Sequence, residues 1–184
     1  MNSKQLNKGS KFLSYVLRHE PKSIGIKLDT EGWAKIALLI EGAAKEGQVL
    51  DYELIQAIVS SSDKKRFSIS NDGQYIRAVQ GHSTESVNVS HIEVPPPIVL
   101  YHGTATRYLD SILRQGLIAG SRHHVHLSEE IATALSVGQR HGKPVILKIN
   151  ALEMHQQGFK FFRAENNTWL TNHVPRNFII EDNR

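Results

Sequence analysis

Three consecutive prolines, Pro95-Pro96-Pro97, constrain this chain more than any other feature. Proline has a fixed φ and no amide proton. No helix can run through the triplet, which favours an extended, stiff segment. The polar stretch leading into it, residues 82–97 (HSTESVNVSHIEVPPP), reads as a linker. The 184 residues are therefore expected to form two small domains, 1–94 and 95–184. A hydrophobic fraction of 40% suffices to bury a core. There is no internal repeat and no low-complexity tract.

In the first half, Phe12, Leu13, Val16 and Leu17 repeat at helical spacing, and Pro21 stops the pattern. Arg18 and His19 thus fall at the C-terminal end of a helix. Gly25–Leu28 reads as a short strand and Glu31-Gly32 as a turn. A second helix is expected over Ala34–Lys45, stopped near Gly47. Asp51 should cap a third helix carrying Leu54, Ile55, Ile58 and Val59. RFSIS and QYIRAV flank Asn71-Asp72-Gly73, the signature of a hairpin. Three helices followed by a hairpin match a winged-helix arrangement, a relative of helix-turn-helix nucleic-acid binders.

The second half alternates differently. Strands are expected at Ile98–Tyr101, Val125–Leu127 and Val145–Ile149, with others at Phe159–Phe162, Thr168–Thr171 and Asn177–Ile180. Ala105–Arg114 reads as a helix closed by Gly116, and Ser128 as the cap of another. Many short strands and few helices suggest an α+β domain with a mixed or antiparallel sheet.

Several classes are disfavoured. Cysteine is absent, which excludes disulfides, thiolate metal sites and a cysteine nucleophile. No apolar run approaches the roughly 18–20 residues of a membrane helix, and the N-terminus shows no secretory h-region. A cytoplasmic protein is expected, with no membrane partner. There is no Walker loop, GxGxxG or GxSxG. The net charge of +4 permits an anionic partner without requiring one.

Three groups of residues could carry chemistry. Arg18-His19, Lys64-Lys65-Arg66 and Arg122-His123-His124 are basic positions whose arginine forks suit phosphate oxygens. A solvated turn and a helix-end charge are the bland alternatives. Tyr101-His102-Gly103-Thr104 follows a strand, where a small residue lets a ligand approach the backbone. Equally, it could be a strand-to-helix turn with Thr104 as N-cap. His123, His124 and His126 match none of the familiar zinc spacings, so no metal is expected. The aromatic residues Phe159, Phe161, Phe162 and Trp169 read as core rather than as a base-stacking platform.

At the level of whole blocks, the sequence resembles the NAD-dependent RNA (tRNA) 2'-phosphotransferase family. The resemblance runs through KFLSYVLRHEP, IGIKLDTEGWAKI, SSDKKRFSIS, IRAVQGHS and LYHGT, then GLIAGSRHHVHLS, KPVILKI and AENNTWLT. It implies an N-terminal winged-helix RNA-binding lobe and a C-terminal ADP-ribosyltransferase-like lobe that binds NAD. It also implies a tRNA-splicing reaction. An RNA 2'-phosphate attacks the ribose carbon bearing nicotinamide, nicotinamide leaves, and an ADP-ribosylated RNA phosphate forms. The neighbouring 2''-hydroxyl then attacks that phosphate, releasing 2'-OH RNA and ADP-ribose 1'',2''-cyclic phosphate.

The same resemblance carries catalytic roles to Arg18, His19, Arg66 and Arg122. The arginines would orient the phosphate, and His19 would either donate to it or protonate the departing RNA oxygen. His102-Gly103-Thr104 and His126-Leu127-Ser128 are similar to the two NAD-binding signatures. The glutamate that toxin-type relatives use at a third position has no obvious counterpart near Thr168-Trp169-Leu170, and Glu165 is left unassigned. The implied partners are NAD and a tRNA-like RNA carrying a 2'-phosphate, with no metal and a monomeric enzyme. Two other uses of such a chain stay open. One is ADP-ribosylation of nucleic-acid phosphate ends or of a protein; the other is a non-enzymatic, NAD-sensing winged-helix binder.

Overall fold

The computed structural model describes residues 2–61 and 65–182, with backbone alone for Glu181 and Asp182. The chain divides into two compact units, Met1–Ser90 and His91–Arg184. Each has its own hydrophobic core, and both are α+β.

In the first unit, α1 spans Ser3–Arg18 and begins where the Asn2 side chain accepts the Gln5 amide at 2.8 Å. Leu13, Val16 and Leu17 are fully buried. Pro21–Ile24 forms a short 3-10 turn that Gly25 ends at φ 71°, a left-handed conformation suited to glycine. Gly25–Leu28 is therefore not the expected strand: Ile26 bonds back to the Pro21 carbonyl instead of to a neighbouring strand. The expected second helix is split. Ala34–Lys35 forms strand β1, and α2 covers Ile36–Lys45. The helix α3, Tyr52–Ser60, starts at Asp51, whose carboxylate accepts the Leu54 amide at 2.7 Å. Strands β2 (Phe67–Ile69) and β3 (Tyr75–Ala78) form the expected antiparallel hairpin, and β1 pairs with β3 through Ala34 and Ile76. Lys64 lies outside the described residues.

The stretch read as a linker is largely part of the two units. The Ser83 amide and Thr84 hydroxyl donate to the Arg18 carbonyl, Asn88 to the Thr30 carbonyl, and Ser90 to the Glu31 carboxylate. Val87 is buried. Ile92–Glu93 is strand β4 of the second unit. Backbone donors that find local acceptors do not stay in solvent, however polar the side chains beside them.

In the second unit all strand pairings are antiparallel. The strands are β5 (Leu100–Ala105), β6 (Leu117–Ile118), β7 (Val125–Leu127) and β8 (Pro144–Ile149). They continue with β9 (Phe161–Arg163), β10 (Trp169–Thr171), β11 (His173–Val174) and β12 (Ile179–Asp182). One sheet runs β12-β8-β5, another β4-β9-β10-β7, and β11 pairs with β6. The helices are α4 (Thr106–Gln115), α5 (Ile131–Gly138) and α6 (Ala151–Gln156).

Three local expectations shift. The strand placed at Ile98–Tyr101 lies instead at β5, so Thr104 is inside a strand and Ala105 is the N-cap of α4. Ser128 does not cap α5: Glu130 holds that position, and Ser128 Oγ accepts the Glu130 amide at 3.1 Å. Asn177–Ile180 is a 3-10 turn, Arg176–Phe178, running into β12. Phe161 and Trp169 sit in the core, as their pattern suggests, whereas Phe162 turns to the ring of His124.

Candidate active site

In the first unit the end of α1 and the exit of the hairpin come together. The Val79 amide donates to the Arg66 carbonyl at 3.1 Å, so Arg66 stands opposite the first residue after β3. Two residues on, Gly81 adopts φ 88° and turns its α-carbon toward the Arg18 guanidinium. Ser83 then binds the Arg18 carbonyl at 2.9 Å through its amide and His19 Nδ1 at 2.9 Å through its hydroxyl. Arg18, His19 and Arg66 are thus gathered round one segment, Val79–Ser83. Ser83 orients His19, a role that its place in the polar stretch concealed.

In the second unit the two motifs expected to hold NAD are neighbours. Tyr101 and Ser128 exchange backbone hydrogen bonds at 2.7 and 2.9 Å. One residue away, His102 Nδ1 donates to the His126 carbonyl at 2.9 Å. Desolvation lowers the His102 pKa, the charge of His141 lowers it further, and the bond to His126 acts the other way. The ring is therefore neutral near pH 7, with its proton on Nδ1 and an acceptor lone pair on Nε2.

Arg122 reaches the same place by donating to His126 Nδ1 at 3.3 Å. Desolvation and, second, the charge of Arg140 lower its pKa. An arginine stays charged through such a shift. Among the described residues neither Arg122 nor Arg140 forms an ion pair, so this corner carries uncompensated positive charge. Nothing in the spacing of Arg140 and His141 marks them in the sequence; both come from the 3-10 turn after α5.

The reason for Gly103 differs from the one expected. A side chain there would run into the Ala134 carbonyl and crowd the Gly138 amide of α5. A side chain on Gly138 would come within 2.5 Å of the Thr104 carbonyl. The two glycines let helix and strand touch backbone to backbone, so helix α5, not a ligand, fills the space beside Gly103. Thr104 and Leu127 are only 5% and 3% exposed, and Leu127 belongs to the core. His102, His126 and Ser128 are the half-buried members of the two motifs.

Glu129, next to Ser128, accepts Trp169 Nε1 at 2.7 Å and lies 3.3 Å from Arg163. It binds the strand where a third-position glutamate was sought, but from β7's side of the sheet. His124 packs edge-on against His91 and Phe162, and desolvation, then His123, lowers its pKa. Among the described residues no group of three or more His, Asp or Glu side chains is arranged to hold a metal ion. No described helix is long and apolar enough to cross a membrane.

Fold and site together define an α+β protein whose two units each present arginine and imidazole groups suited to phosphate-bearing substrates. Comparison with known proteins is more specific. Residues 4–173 match the family model described as "RNA 2'-phosphotransferase, Tpt1 / KptA family", and the chain belongs to that family of transferases. It is 59% identical over 181 residues to a "Probable RNA 2'-phosphotransferase" of Pseudomonas aeruginosa (strain UCBPP-PA14), covering 98% of this chain and all of that one. A protein of the same description from Pectobacterium carotovorum is 61% identical, over 92% of this chain and 91% of its own. One from Escherichia coli O6:K15:H31 is 57% identical, over 97% of each.

Proposed function

We propose that this enzyme removes a 2'-phosphate from RNA by transferring it to NAD. The observation that carries the reading is the pairing of His102-Gly103-Thr104 with His126-Leu127-Ser128 through the Tyr101–Ser128 backbone bonds. Two segments 24 residues apart in sequence, each expected to contact the same dinucleotide, are neighbours in one unit. The polar groups suit a ribose: the neutral His102 offers an acceptor at Nε2, and Ser128 is bonded through its backbone to the adjoining Tyr101. On this reading the first unit is a winged-helix lobe and the second an ADP-ribosyltransferase-like lobe.

NAD, when bound, supplies a ribose carbon that takes the RNA phosphate as nicotinamide departs, and a 2''-hydroxyl that then displaces the RNA, leaving ADP-ribose 1'',2''-cyclic phosphate. The protein's part is positioning and charge. Arg18 and Arg66 hold the phosphate as a fixed pair of forks, and Arg122 offsets charge on the transferring group. His19, oriented by Ser83, delivers a proton to the departing RNA oxygen or donates to the phosphate. A phosphate dianion is already a nucleophile, so no glutamate base is required.

The test is one assay with a short RNA bearing an internal 2'-phosphate, with and without NAD. Expected products are 2'-OH RNA, nicotinamide and ADP-ribose 1'',2''-cyclic phosphate, formed only with NAD. Accumulation of ADP-ribosyl RNA would instead mean a transferase that stops after the first step. Phosphate loss without NAD would overturn the role of the dinucleotide.

A further inference from the structure

The proposed reaction uses only the last turn of α1, yet the whole helix is unusual. Chain positions 1–19 contain no acidic residue, while Lys4, Lys8, Lys11 and Arg18 are basic. At about 100° per residue, these four and Tyr15 fall within a sector of about 80°. The opposite side carries Leu6, Gly9, Leu13, Val16 and Leu17, facing the core. Gly9 marks the close approach to α3, since a side chain there would come within 2.5 Å of Ile58. The three lysines and Tyr15 therefore point away from the unit's interior, while Arg18, at the helix end, is half-buried beside Gly81. Lys4, Lys8 and Lys11 are exposed and make no ion pair among the described residues, and Tyr15 is 50% exposed.

The helix before the hairpin has the opposite character. In helix-turn-helix relatives this is the element that enters nucleic acid. Here α3 has no lysine or arginine and carries Glu53, and its exposed positions include Gln56 and Ser60. A polyanion gains nothing from that surface.

We infer that the basic face of α1 is the track for the RNA strand leading to the 2'-phosphate. This rests on the RNA 2'-phosphotransferase reading. Lys4, Lys8 and Lys11 meet successive backbone phosphates, Tyr15 offers a ring to a base, and the strand ends at Arg18-His19. From Lys4 to Arg18 the helix rises about 21 Å at about 1.5 Å per residue. That is room for roughly three nucleotides of an extended strand, and up to about six of a stacked one at about 3.4 Å each. Lysines act on phosphates as point charges, so the track selects for strand length and not for base sequence. Charge complementarity and continuity with Arg18 both favour RNA over a lipid surface.

The experiment compares 2'-phosphate removal from a dinucleotide and from a twelve-nucleotide RNA, using the full chain and its K4Q/K8Q/K11Q variant. Glutamine keeps helix propensity on an exposed face, and circular dichroism checks the fold. The natural chain should favour the longer RNA through KM, and the variant should lose about tenfold to a hundredfold of that advantage. Losing three phosphate contacts should also flatten the dependence of log affinity on log salt by about 2. Gln56→Glu in α3 should leave the length advantage unchanged.

An unchanged advantage and salt slope in the triple variant would overturn the track. So would loss of the advantage in Gln56→Glu alone, which would move the strand to α3. Lysine-dependent binding to phosphatidylserine vesicles, with RNA kinetics unaltered, would reassign the face to lipid. If the natural chain removes phosphate from neither RNA, the reaction reading itself falls and takes the track with it. A dinucleotide processed as well as the longer RNA by the natural chain sinks only the track.

Discussion

His102 shows how one side chain's protonation is decided by what surrounds it. Its ring is desolvated, and this outweighs the opposing effect of the Nδ1 bond to the His126 carbonyl, so the folded state favours the neutral form. The pKa is lowered on folding, so the unfolded chain binds more protons than the folded one once pH drops below about 6.5. His124, also lowered, acts in the same direction. Stability should be full above that pH and decline as pH falls below it, as chemical denaturation at a series of pH values will show. His102→Gln should shrink the decline; an identical profile would exclude His102 as its source. At Arg122 the expectation concerns activity. Arg122→Ala should lower kcat for phosphate removal by about 10²–10³-fold, the usual cost of a lost charge-stabilising donor, with an unaltered circular dichroism spectrum. Near-normal turnover would remove Arg122 from the active site.

Elements meet through glycines at two kinds of contact, and the difference is measurable. Gly103 and Gly138 let α5 lie against β5 with backbone facing backbone, and a backbone carbonyl cannot move aside. Gly103→Ala should therefore cost about 3 kcal/mol or more, the upper end of overpacking. Gly9 faces only the tip of Ile58, a side chain that can change rotamer, and alanine is the better helix former. Gly9→Ala should be close to neutral. Thermal melts of the two variants check the contrast, and equal midpoints would contradict the packing described. The same scale explains which elements were legible beforehand. Asp51 and the helix it caps, the Asp72-Gly73 hairpin and Gly116 all act within a few residues of chain. Strand β1 was hidden because Ala34 is paired to Ile76, far along the sequence, where the local pattern is helical.

For the whole molecule, charge and the absence of cysteine bear on what the reaction needs. Arginine forks can neutralise a transferring phosphate without a metal ion. Adding EDTA should leave phosphate removal unchanged; activity lost to EDTA and restored by zinc would bring back His123, His124 and His126 as ligands. The division into two units was expected from Pro95-Pro96-Pro97, but contacts divide the chain at Ser90, a few residues earlier. Hydrogen bonds from Ser83 to the end of α1, and from Asn88 and Ser90 to the loop before β1, draw the polar stretch into the first unit.

The α+β class, most helices and the hairpin were legible in the sequence, because caps, glycine stops and hydrophobic periodicity act over one or two turns of chain. Its blocks also pointed to the family to which the chain belongs. Which side chains become neighbours follows from how distant segments pair and pack. Ser83 behind His19, Arg140 beside Arg122, and Gly103 against α5 join residues whose separation along the chain carries no signal. Such contacts arise from pairing and packing between distant segments, and local physics does not specify them.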